Sequence, residues 1–261
     1  MLNKFWSSNE INIQTIRFFQ SFACLFLNLL LFSATKLKAQ EVYGKDDVWF
    51  LTLTEYQLNQ KWTFGNELHL RFNDGFKDKQ QILIRPYVSW SRNLKVQYSV
   101  GYTYINNYPY SKYPLQATKP EHNIWEQLML RNTIGKLTLD HRYRMEHRFE
   151  STYDISEEVF DFEETSFSNR FRYRISLKRP IAKTYFINLF NELWIQSNKG
   201  LMDLTFDRNW IYIAIGKNIS KSTSLQLAYF HQNIRKSANR FERHPTLQIS
   251  LAIKTNQDDD E

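Results

Sequence analysis

The chain has 261 residues and a formal net charge of +7, and 16% of its residues are aromatic while 23% are charged. Residues 1–39 carry four bases and one acid, so the remainder has a charge of only +4, which is too small to favour a nucleic-acid partner. The single cysteine, Cys24, excludes a disulfide framework and a thiolate metal site.

The N-terminal segment has the three-part pattern of a secretory signal peptide. Met1–Arg17 is a polar lead, Phe18–Phe32 is almost wholly apolar, and the following small residues predict cleavage after Ala39. The apolar run is shorter than the ~20 residues of a bilayer-spanning helix, so a permanent anchor is the minority alternative. We therefore predict that residues 1–39 are removed on Gram-negative-type export. Residues 40–261 then form one domain with a short, polar, acidic tail.

Beyond Gln40, apolar and polar residues alternate with a period of two. The clearest examples are Leu137–Phe149, Phe167–Lys178 and Trp62–Phe72, in each of which aromatic and aliphatic residues alternate with charged ones. In a β-strand, successive side chains point to opposite faces of the sheet. Each segment therefore predicts a strand with one apolar and one charged face.

Eleven segments show this pattern, and many are longer than the ~5–6 residues usual for strands of globular proteins. Tilted strands that cross a membrane need ~9–11 residues. The segments are 48–58, 61–72, 80–91, 95–106, 121–134, 137–149, 165–178, 184–196, 204–217, 223–234 and 244–254. The prediction is an all-β fold, an antiparallel up-and-down transmembrane β-barrel of about 10–12 strands. A soluble, secreted β-sandwich is the alternative.

The predicted connections alternate between short turns and longer polar loops, as in outer-membrane barrels. The longer ones are 73–79, 107–120, 150–164, 197–203 and 235–243. With all short turns at one end, the first and last of eleven strands run in the same direction. Bacterial single-chain barrels have even strand numbers. Three explanations of the odd number are open: a further strand precedes residue 48, the first segment lies outside the wall, or one segment is wrongly divided.

The charged faces are predicted to line the barrel interior. An arginine facing lipid at the bilayer midplane costs about 2–4 kcal/mol, which excludes an outward position for Arg170, Arg172 and Arg174. The predicted lumen-facing wall comprises Arg71, Arg85, Glu121, Arg131, Arg142, Arg144, Glu146, Arg148, Arg170, Arg172, Arg174, Glu192 and Asp207. Glu67 and Asp140 are further counter-charges. This wall suits either an anion-biased pore or a packed, charge-paired interior.

Neither a metal site nor a catalytic site is predicted. The acidic loop 150–164 matches no calcium-loop spacing and is interpreted as a solvated outer loop. His141, His147 and His231 are expected on the lipid face, where no serine clearly shares their position, so a phospholipase-like arrangement is the minor alternative. Loop 107–120, rich in tyrosine and proline, could stack on sugar, fold inward or be an ordinary ordered loop.

The ordered segments resemble a known bacterial family. After an opening strand at Trp49, they read KWTFGNELHLRF, QQILIRPYVSWS, VQYSVGYTYI, EHNIWEQL, LDHRYRMEHRF, NRFRYRISLKRPI, INLFNELWI, FDRNWIYIAIG and LQLAYFHQN. Over residues 47–254 this series resembles the domain of unknown function family 2490 (DUF2490). The resemblance implies an outer-membrane barrel and adds no catalytic residues.

The resemblance also implies positions for a charged wall. These are Arg85, Glu121, Gln127, Arg142, Glu146, Arg148, Arg170, Arg172, Arg174, Glu192 and Asn209. The chain departs from the family pattern at His122 and Asn123, where an arginine-rich strand entry is expected. It also ends in NQDDDE instead of the aromatic residue usual at the C-terminus of such barrels.

We therefore expect a porin-like passive channel in the outer membrane, without enzymatic activity or cofactor. The expected partners are outer-membrane lipid, the barrel assembly machinery and a small anionic or sugar solute. A closed structural or surface-interaction barrel with a packed charged interior is the first alternative, and an outer-membrane hydrolase is the second.

Overall fold

The computed structural model describes residues 41–110, 117–153, 162–197, 203–238 and 240–256. Their strands are β1 Glu41–Tyr43, β2 Asp47–Gln57, β3 Trp62–Asn73, β4 Asp78–Asn93, β5 Val96–Asn107, β6 Lys119–Ile134, β7 Leu137–Tyr153, β8 Phe162–Pro180, β9 Tyr185–Ser197, β10 Leu204–Asn218, β11 Thr223–Ser237 and β12 Arg240–Asn256. The eleven predicted segments correspond in order to β2–β12. Most strands extend a few residues past the predicted ends.

The strands form one closed up-and-down barrel. From β2 to β12 each strand pairs antiparallel with the next, and β12 then pairs with β2 to close the wall. The predicted all-β barrel is thus confirmed, with eleven strands in the wall. No helix in the described ranges is long and apolar enough to cross a membrane.

The closing pair is a parallel seam of full length. Asp47–Gln57 of β2 pairs in parallel with Thr246–Asn256 of β12. Of the three explanations considered from the sequence, two are wrong, because the first segment is in the wall and the segments are correctly divided. A further strand, β1, does precede residue 48, but among the described residues it lies beside β12 in parallel and does not make the number of wall strands even. An odd number of up-and-down strands can close only through one parallel pair.

Strand β1 continues β2 along the same neighbour. Glu41 pairs with Arg240 and Asp47 with Thr246, so both strands keep one register on β12. The interruption falls at Gly44, where a Cβ would lie 1.6 Å from the backbone carbonyl oxygen of Arg243. The close backbone approach at this point therefore requires glycine.

The two ends of the barrel differ in their connections. At the end that we call the short-turn end, the connections are 58–61, 94–95, 135–136, 181–184 and 219–222. At the opposite end, the loop end, 108–118, 154–161 and 198–203 are longer, but 74–77 and 238–239 are short. The long connections predicted at 73–79 and 235–243 are wrong because the flanking strands continue into them.

The turn at 74–77 shows how this shortening is achieved. Asp74 and Gly75 have φ angles of 53° and 72°, the left-handed conformation that a tight turn needs. Lys45 and Lys77 both donate to the Asp74 carboxylate, and these hydrogen bonds lower the pKa of Asp74.

The outer face of the barrel is apolar. Large exposed side chains recur at alternate positions of neighbouring strands: Ile211, Ile213, Ile215, Leu225, Leu227, Tyr229, Leu247 and Ile249. At the short-turn end, exposed Tyr56, Trp62, Tyr98 and Tyr185 occupy the place of an interfacial aromatic girdle. Such an area of apolar surface is unfavourable in water and suited to lipid.

Inside the wall, glycines make room for large rings. Gly101 lies directly opposite Trp125 on the next strand, and a Cβ at Gly101 would lie 2.3 Å from the Trp125 ring. Gly65 with Tyr87 and Gly216 with Phe186 repeat the arrangement. Each glycine therefore leaves the space that the opposite ring occupies.

Candidate functional site in the barrel interior

Two buried carboxylates organise the arginines of β7, β8 and β9. Glu146 binds Arg170 and Arg172, and Glu192 binds Arg172, Arg142 and Arg174. The side chains of Glu146 and Glu192 are 1% and 0% exposed. Strand register explains the grouping, because Glu146 lies opposite Arg170 and Arg174 lies opposite Glu192.

Register also places like charges opposite one another. Arg142 faces Arg174, and Arg144 faces Arg172, on adjacent strands β7 and β8. Directly opposed like charges are destabilising in a sheet unless counter-charges lie between them. Glu192 supplies one for the first pair, while Arg144 donates to the side-chain oxygen of Gln127.

The ionic network extends toward the loop end. Arg148 binds Glu121 and Glu150, and Asp207 lies between Arg170 and Arg208. On strands β3 and β4, Glu67 binds Arg85 with a nitrogen–oxygen distance of 2.6 Å. The pair Arg131–Asp140 lies apart near the short-turn end, where the Arg131 side chain is 49% exposed.

An aromatic cluster occupies the other side of the interior. Trp49, Trp194, Trp210, Tyr212 and Phe230 are buried together, with Ala214 and Ala228 between them. Trp49 of β2 meets Trp210 of β10 with ring centroids 5.6 Å apart, although β11 and β12 separate these strands in the wall. The sequence did not predict this cluster. Both faces of β10 are apolar, so the alternation of apolar and charged residues that assigns an interior face in other strands is missing there.

Cationic side chains that lie over aromatic rings join the ionic network and the aromatic cluster. Arg172, Arg170 and Arg208 lie over the Trp194 ring at 3.6, 4.5 and 4.7 Å from its centroid. Arg71 lies over Trp49 at 3.8 Å, and Arg144, Arg174 and Lys178 stack on Trp125, Phe190 and Phe186 in the same way. Desolvated cation–π contacts of this kind contribute about 2 kcal/mol.

A cavity of about 430 Å³ lies within this interior. Its lining reaches from Lys119 and Lys236 near the loop end to Asn188 and Gln226 toward the short-turn end. Ten basic side chains line it: Arg71, Arg85, Lys119, Arg142, Arg148, Arg170, Arg172, Arg174, Arg208 and Lys236. Within the part of the chain that the structure describes, these ten basic side chains share the lining with three carboxylates, Glu67, Glu121 and Glu150. Glu146, Glu192 and Asp207 are not part of the lining, so much of the counter-charge lies behind the arginines.

A second polar cluster lies beside the parallel seam. The Asp47 carboxylate accepts hydrogen bonds from Asn73, Gln80 and Gln232. His244 lies between Asp47 and Glu242, at 3.3 and 3.1 Å. These groups are buried and come from β2, β3, β4, β11 and β12. The cluster therefore joins both sides of the closing pair.

Part of loop 107–120 covers this cluster. The Tyr110 ring meets His244 at 6.2 Å and lies below Lys236 at 5.7 Å. Burial raises the pKa of Tyr110, so its phenol is neutral at physiological pH. Residues 111–116 of this loop and residues 154–161 of the acidic loop lie outside the described residues, so the predictions for them remain predictions.

Most residues of the predicted charged wall lie in the network described above. Arg131 is separate from it, and Arg71 is bound by Gln81 and His69 instead of a carboxylate. Asn209, implied by the family resemblance, instead lies on the exterior face with Asn191. Arg208 was missed: the register shifts between Phe206 and Arg208, so Asp207 and Arg208 both reach the interior.

The histidines considered for catalysis contact other groups. His141 hydrogen-bonds to the Tyr173 hydroxyl, and His147 contacts Asn169 and Glu126. Within the described ranges, no group of three or more His, Cys, Asp or Glu side chains is arranged to hold a metal ion.

A closed barrel of long strands, apolar outside and charged inside, defines the class of outer-membrane β-barrels. Within that class, the chain belongs to the family described as protein of unknown function DUF2490, whose model matches residues 46–243. The resemblance noted in the sequence is confirmed. No curated protein matches this chain.

Two solved structures are weakly similar to the barrel. The NanC porin is 9% identical with a TM-score of 0.45, and the match covers 80% of this chain and 98% of the porin. The beta domain of the Bordetella autotransporter BrkA is 10% identical with a TM-score of 0.41, covering 73% of this chain and 79% of that domain.

Proposed function

We propose that the protein is a passive, porin-like channel of the outer membrane that favours small anions. The observation that carries the proposal is the composition of the cavity lining, which among the described residues has ten basic side chains and three carboxylates. A cavity lined by one sign of charge within low-dielectric walls concentrates counter-ions. Rings of arginine and lysine are the usual lining of anion pores.

The arrangement of the counter-charges supports the same preference. Glu146 and Glu192 are almost completely buried and hold their arginines against the wall. These two carboxylates therefore fix the guanidinium groups without lining the cavity themselves. A solute anion meets pre-positioned cations and requires little rearrangement of the wall.

Electrophysiology of purified, folded protein in planar bilayers tests the proposal. In a potassium chloride gradient we expect discrete conductance steps and a reversal potential on the chloride side. Folding is checked by heat-modifiable migration of membrane-extracted protein. Folded protein without conductance steps, or with cation preference, would contradict the channel proposal.

A charge reversal at the loop end gives a sharper test. Lys119 lines the cavity, whereas Lys136 lies in an exposed turn between β6 and β7. We expect Lys119→Glu to move the reversal potential toward the potassium side, and Lys136→Glu to leave it unchanged. Equal shifts for both variants would show that the cavity lining does not set selectivity.

A closed structural barrel is the second candidate. The Glu146–Glu192 network and the Trp49–Trp210 cluster favour it, because both fill the interior with well-packed side chains. This candidate requires folded protein that inserts into bilayers without conducting. Its surface contacts would then reside in the loops, and removal of 111–116 would abolish partner binding.

Export and insertion follow from the same proposal. We propose that a cleavable signal peptide directs the chain to the periplasm and that the barrel assembly machinery inserts it into the outer-membrane lipid. N-terminal sequencing of protein purified from outer membranes is expected to begin at Gln40. A first residue other than Gln40 would contradict cleavage after Ala39.

A further inference from the structure

Arg142 and Arg174 are more exposed to the cavity than the arginine packed beside them. Both line the cavity, and their side chains are 12% and 23% exposed, whereas the side chain of Arg172 is 3% exposed. All three bind Glu192, whose side chain is 0% exposed and is not part of the lining. A solute in the cavity therefore meets these two guanidinium groups and not the carboxylate that holds them.

The guanidinium groups of Arg142 and Arg174 lie beside each other. Arg142 of β7 is directly opposite Arg174 of β8, and opposite residues of antiparallel strands have Cβ atoms about 4.5–5.5 Å apart. Arg142 Nη2 donates to Glu192 Oε1, while Arg174 Nε and Nη2 donate to Glu192 Oε2. The two oxygens of one carboxylate therefore hold the two guanidinium groups next to each other.

Each of these two groups keeps free hydrogen-bond donors. The Nη1 atom of a guanidinium group carries two N–H donors, and neither Arg142 Nη1 nor Arg174 Nη1 has a partner among the described residues. In the described part of the ionic network, the buried nitrogen atoms without a partner are Arg142 Nε and Arg144 Nη1. The Nη1 groups of Arg142 and Arg174 are therefore accessible, unlike those buried nitrogens.

The positive charge of the pair is only partly compensated. Among the described residues, Arg172 binds Glu146 as well as Glu192, whereas Arg142 and Arg174 bind Glu192 alone. One carboxylate thus serves both exposed guanidinium groups and contributes to a third. The pair keeps a surplus of positive charge at the surface of the cavity.

Aromatic rings hold Arg174 in position. Its guanidinium group lies over the Phe190 ring at 4.0 Å from the centroid, and Phe190 in turn stacks on Tyr212 with centroids 4.2 Å apart. Together with the Glu192 contacts, this stack restricts the side chain before any ligand arrives. Binding to a group that is already positioned loses less conformational entropy.

We propose that Arg142 and Arg174 form a binding site for the oxyanion group, carboxylate or phosphate, of a small solute. Guanidinium groups bind both oxyanions through charge-assisted hydrogen bonds, and two adjacent groups offer donors to more than one oxygen. The cavity of about 430 Å³ has the size of a small-molecule site. The inference rests on the proposed function for the route by which the solute arrives, and it adds a defined site to the general preference of the lining for anions.

Equilibrium binding to folded, membrane-extracted protein tests the site separately from conduction. The probes are glucose, glucuronate and glucose 6-phosphate, which share a ring and differ in the anionic group, titrated by calorimetry in phosphate-free buffer. We expect glucuronate, glucose 6-phosphate or both to bind and glucose to show no measurable binding. Preference between the two anions distinguishes a carboxylate from a phosphate ligand.

Variants locate the binding to the two arginines. We expect Arg142→Gln and Arg174→Gln each to weaken anion binding by about tenfold, because each removes a charged donor group. Arg174→Lys keeps the charge but loses the planar fork of donors, so it should weaken binding severalfold.

Two further variants serve as controls. Lys119→Gln removes a positive charge from the same lining but near the loop end, and Arg131→Gln alters a half-exposed arginine that is not part of the lining. Both should bind the anions as the unaltered protein does. A loss with Lys119→Gln as large as that with Arg174→Gln would mean that the overall charge of the lining, and not this site, binds the anion.

The outcomes separate the site from the channel. If neither anion binds to folded protein, or if Arg142→Gln and Arg174→Gln bind as tightly as the controls, the site proposal is overturned. If a glutamine variant fails to fold, Arg174→Lys decides by the same comparison. Anion binding by a barrel that conducts no current would overturn the channel and leave the site standing. Conductance without anion binding would do the reverse.

Discussion

At Glu192, a single carboxylate with no exposed surface binds Arg142, Arg172 and Arg174. Burial removes the solvation of Glu192 and Arg172 and reduces that of Arg142 and Arg174, and their mutual attraction compensates only while the set is complete. The network therefore depends most on its carboxylates, since each serves several arginines. Arg131 and Asp140 form the contrasting case. This pair is partly exposed, so water can hydrogen-bond to either member when the other is removed.

Removing the Glu192 charge should destabilise the barrel strongly. We expect Glu192→Gln to lower the free energy of unfolding by about 3–5 kcal/mol, because it leaves Arg142 and Arg174 without their counter-charge and Arg172 with Glu146 alone. Asp140→Asn should lower it by less than about 1 kcal/mol. Urea unfolding of the refolded barrel in lipid vesicles measures both, and equal losses would contradict a special role for Glu192.

At the scale of the strands, two devices shape the wall: the parallel β2–β12 seam and the pairing of inward glycines with opposite rings. The seam joins strands that are far apart in sequence and is reinforced inside by the Asp47–His244–Glu242 cluster. The glycine pairs allow rings on β4, β6 and β9 to pack closely against the neighbouring strand. Both devices depend on register.

A cysteine pair tests the seam directly. Phe50 pairs with Ile249 across it, and the only natural cysteine, Cys24, lies in the predicted signal peptide. We expect Phe50→Cys with Ile249→Cys to form a disulfide under oxidation, seen as a shift in the migration of denatured protein. Phe50→Cys with Ile253→Cys, displaced by about 13 Å along β12, should not form one. The opposite result would place the seam in another register.

A methyl group at Gly101 should disturb its opposite ring. Gly101→Ala brings a Cβ into the Trp125 ring, which also carries the Arg144 stack and donates to the Thr103 hydroxyl. We expect a loss of about 1–3 kcal/mol in the free energy of unfolding, as for overpacked cores. Val100→Ala, on the exposed side of the same strand, should cost less, and a larger loss there would contradict the packing argument.

At the scale of the whole molecule, the barrel separates an apolar exterior from a charged interior. This separation gives each wall strand its two faces and makes lipid the suitable solvent for the outside. The charged interior is stable only because the wall closes and pairs its charges. Closure, charge pairing and membrane insertion are therefore linked requirements of one structure.

An arginine placed on the exterior tests the orientation of the whole barrel. Ile213 is half-exposed amid the apolar exterior, whereas Leu94 lies in a turn and is 94% exposed. We expect Ile213→Arg to cost about 2–4 kcal/mol in lipid vesicles, because a lipid-facing guanidinium group loses its hydration. Leu94→Arg should have almost no effect. Comparable costs would mean that the surface around Ile213 does not face the bilayer core.

The sequence alone determined the strands and their two faces, because alternation with a period of two is a local property of each segment. The eleven segments and their order could be read in this way. The strand number was left at about 10–12 because an even number was expected, and the parallel seam that closes eleven strands was not predicted. The long connections at 73–79 and 235–243 were wrong because strand ends depend on pairing with neighbours, which no single segment encodes.

Only the tertiary structure decided how the interior is filled. Trp49 and Trp210 come together across the barrel, Arg208 turns inward at a register shift, and Glu146 and Glu192 withdraw behind the arginines that they bind. Each of these results depends on distances between strands remote in sequence. Alternation assigns a side chain to the inside of the barrel, but closure determines which other side chains it meets there.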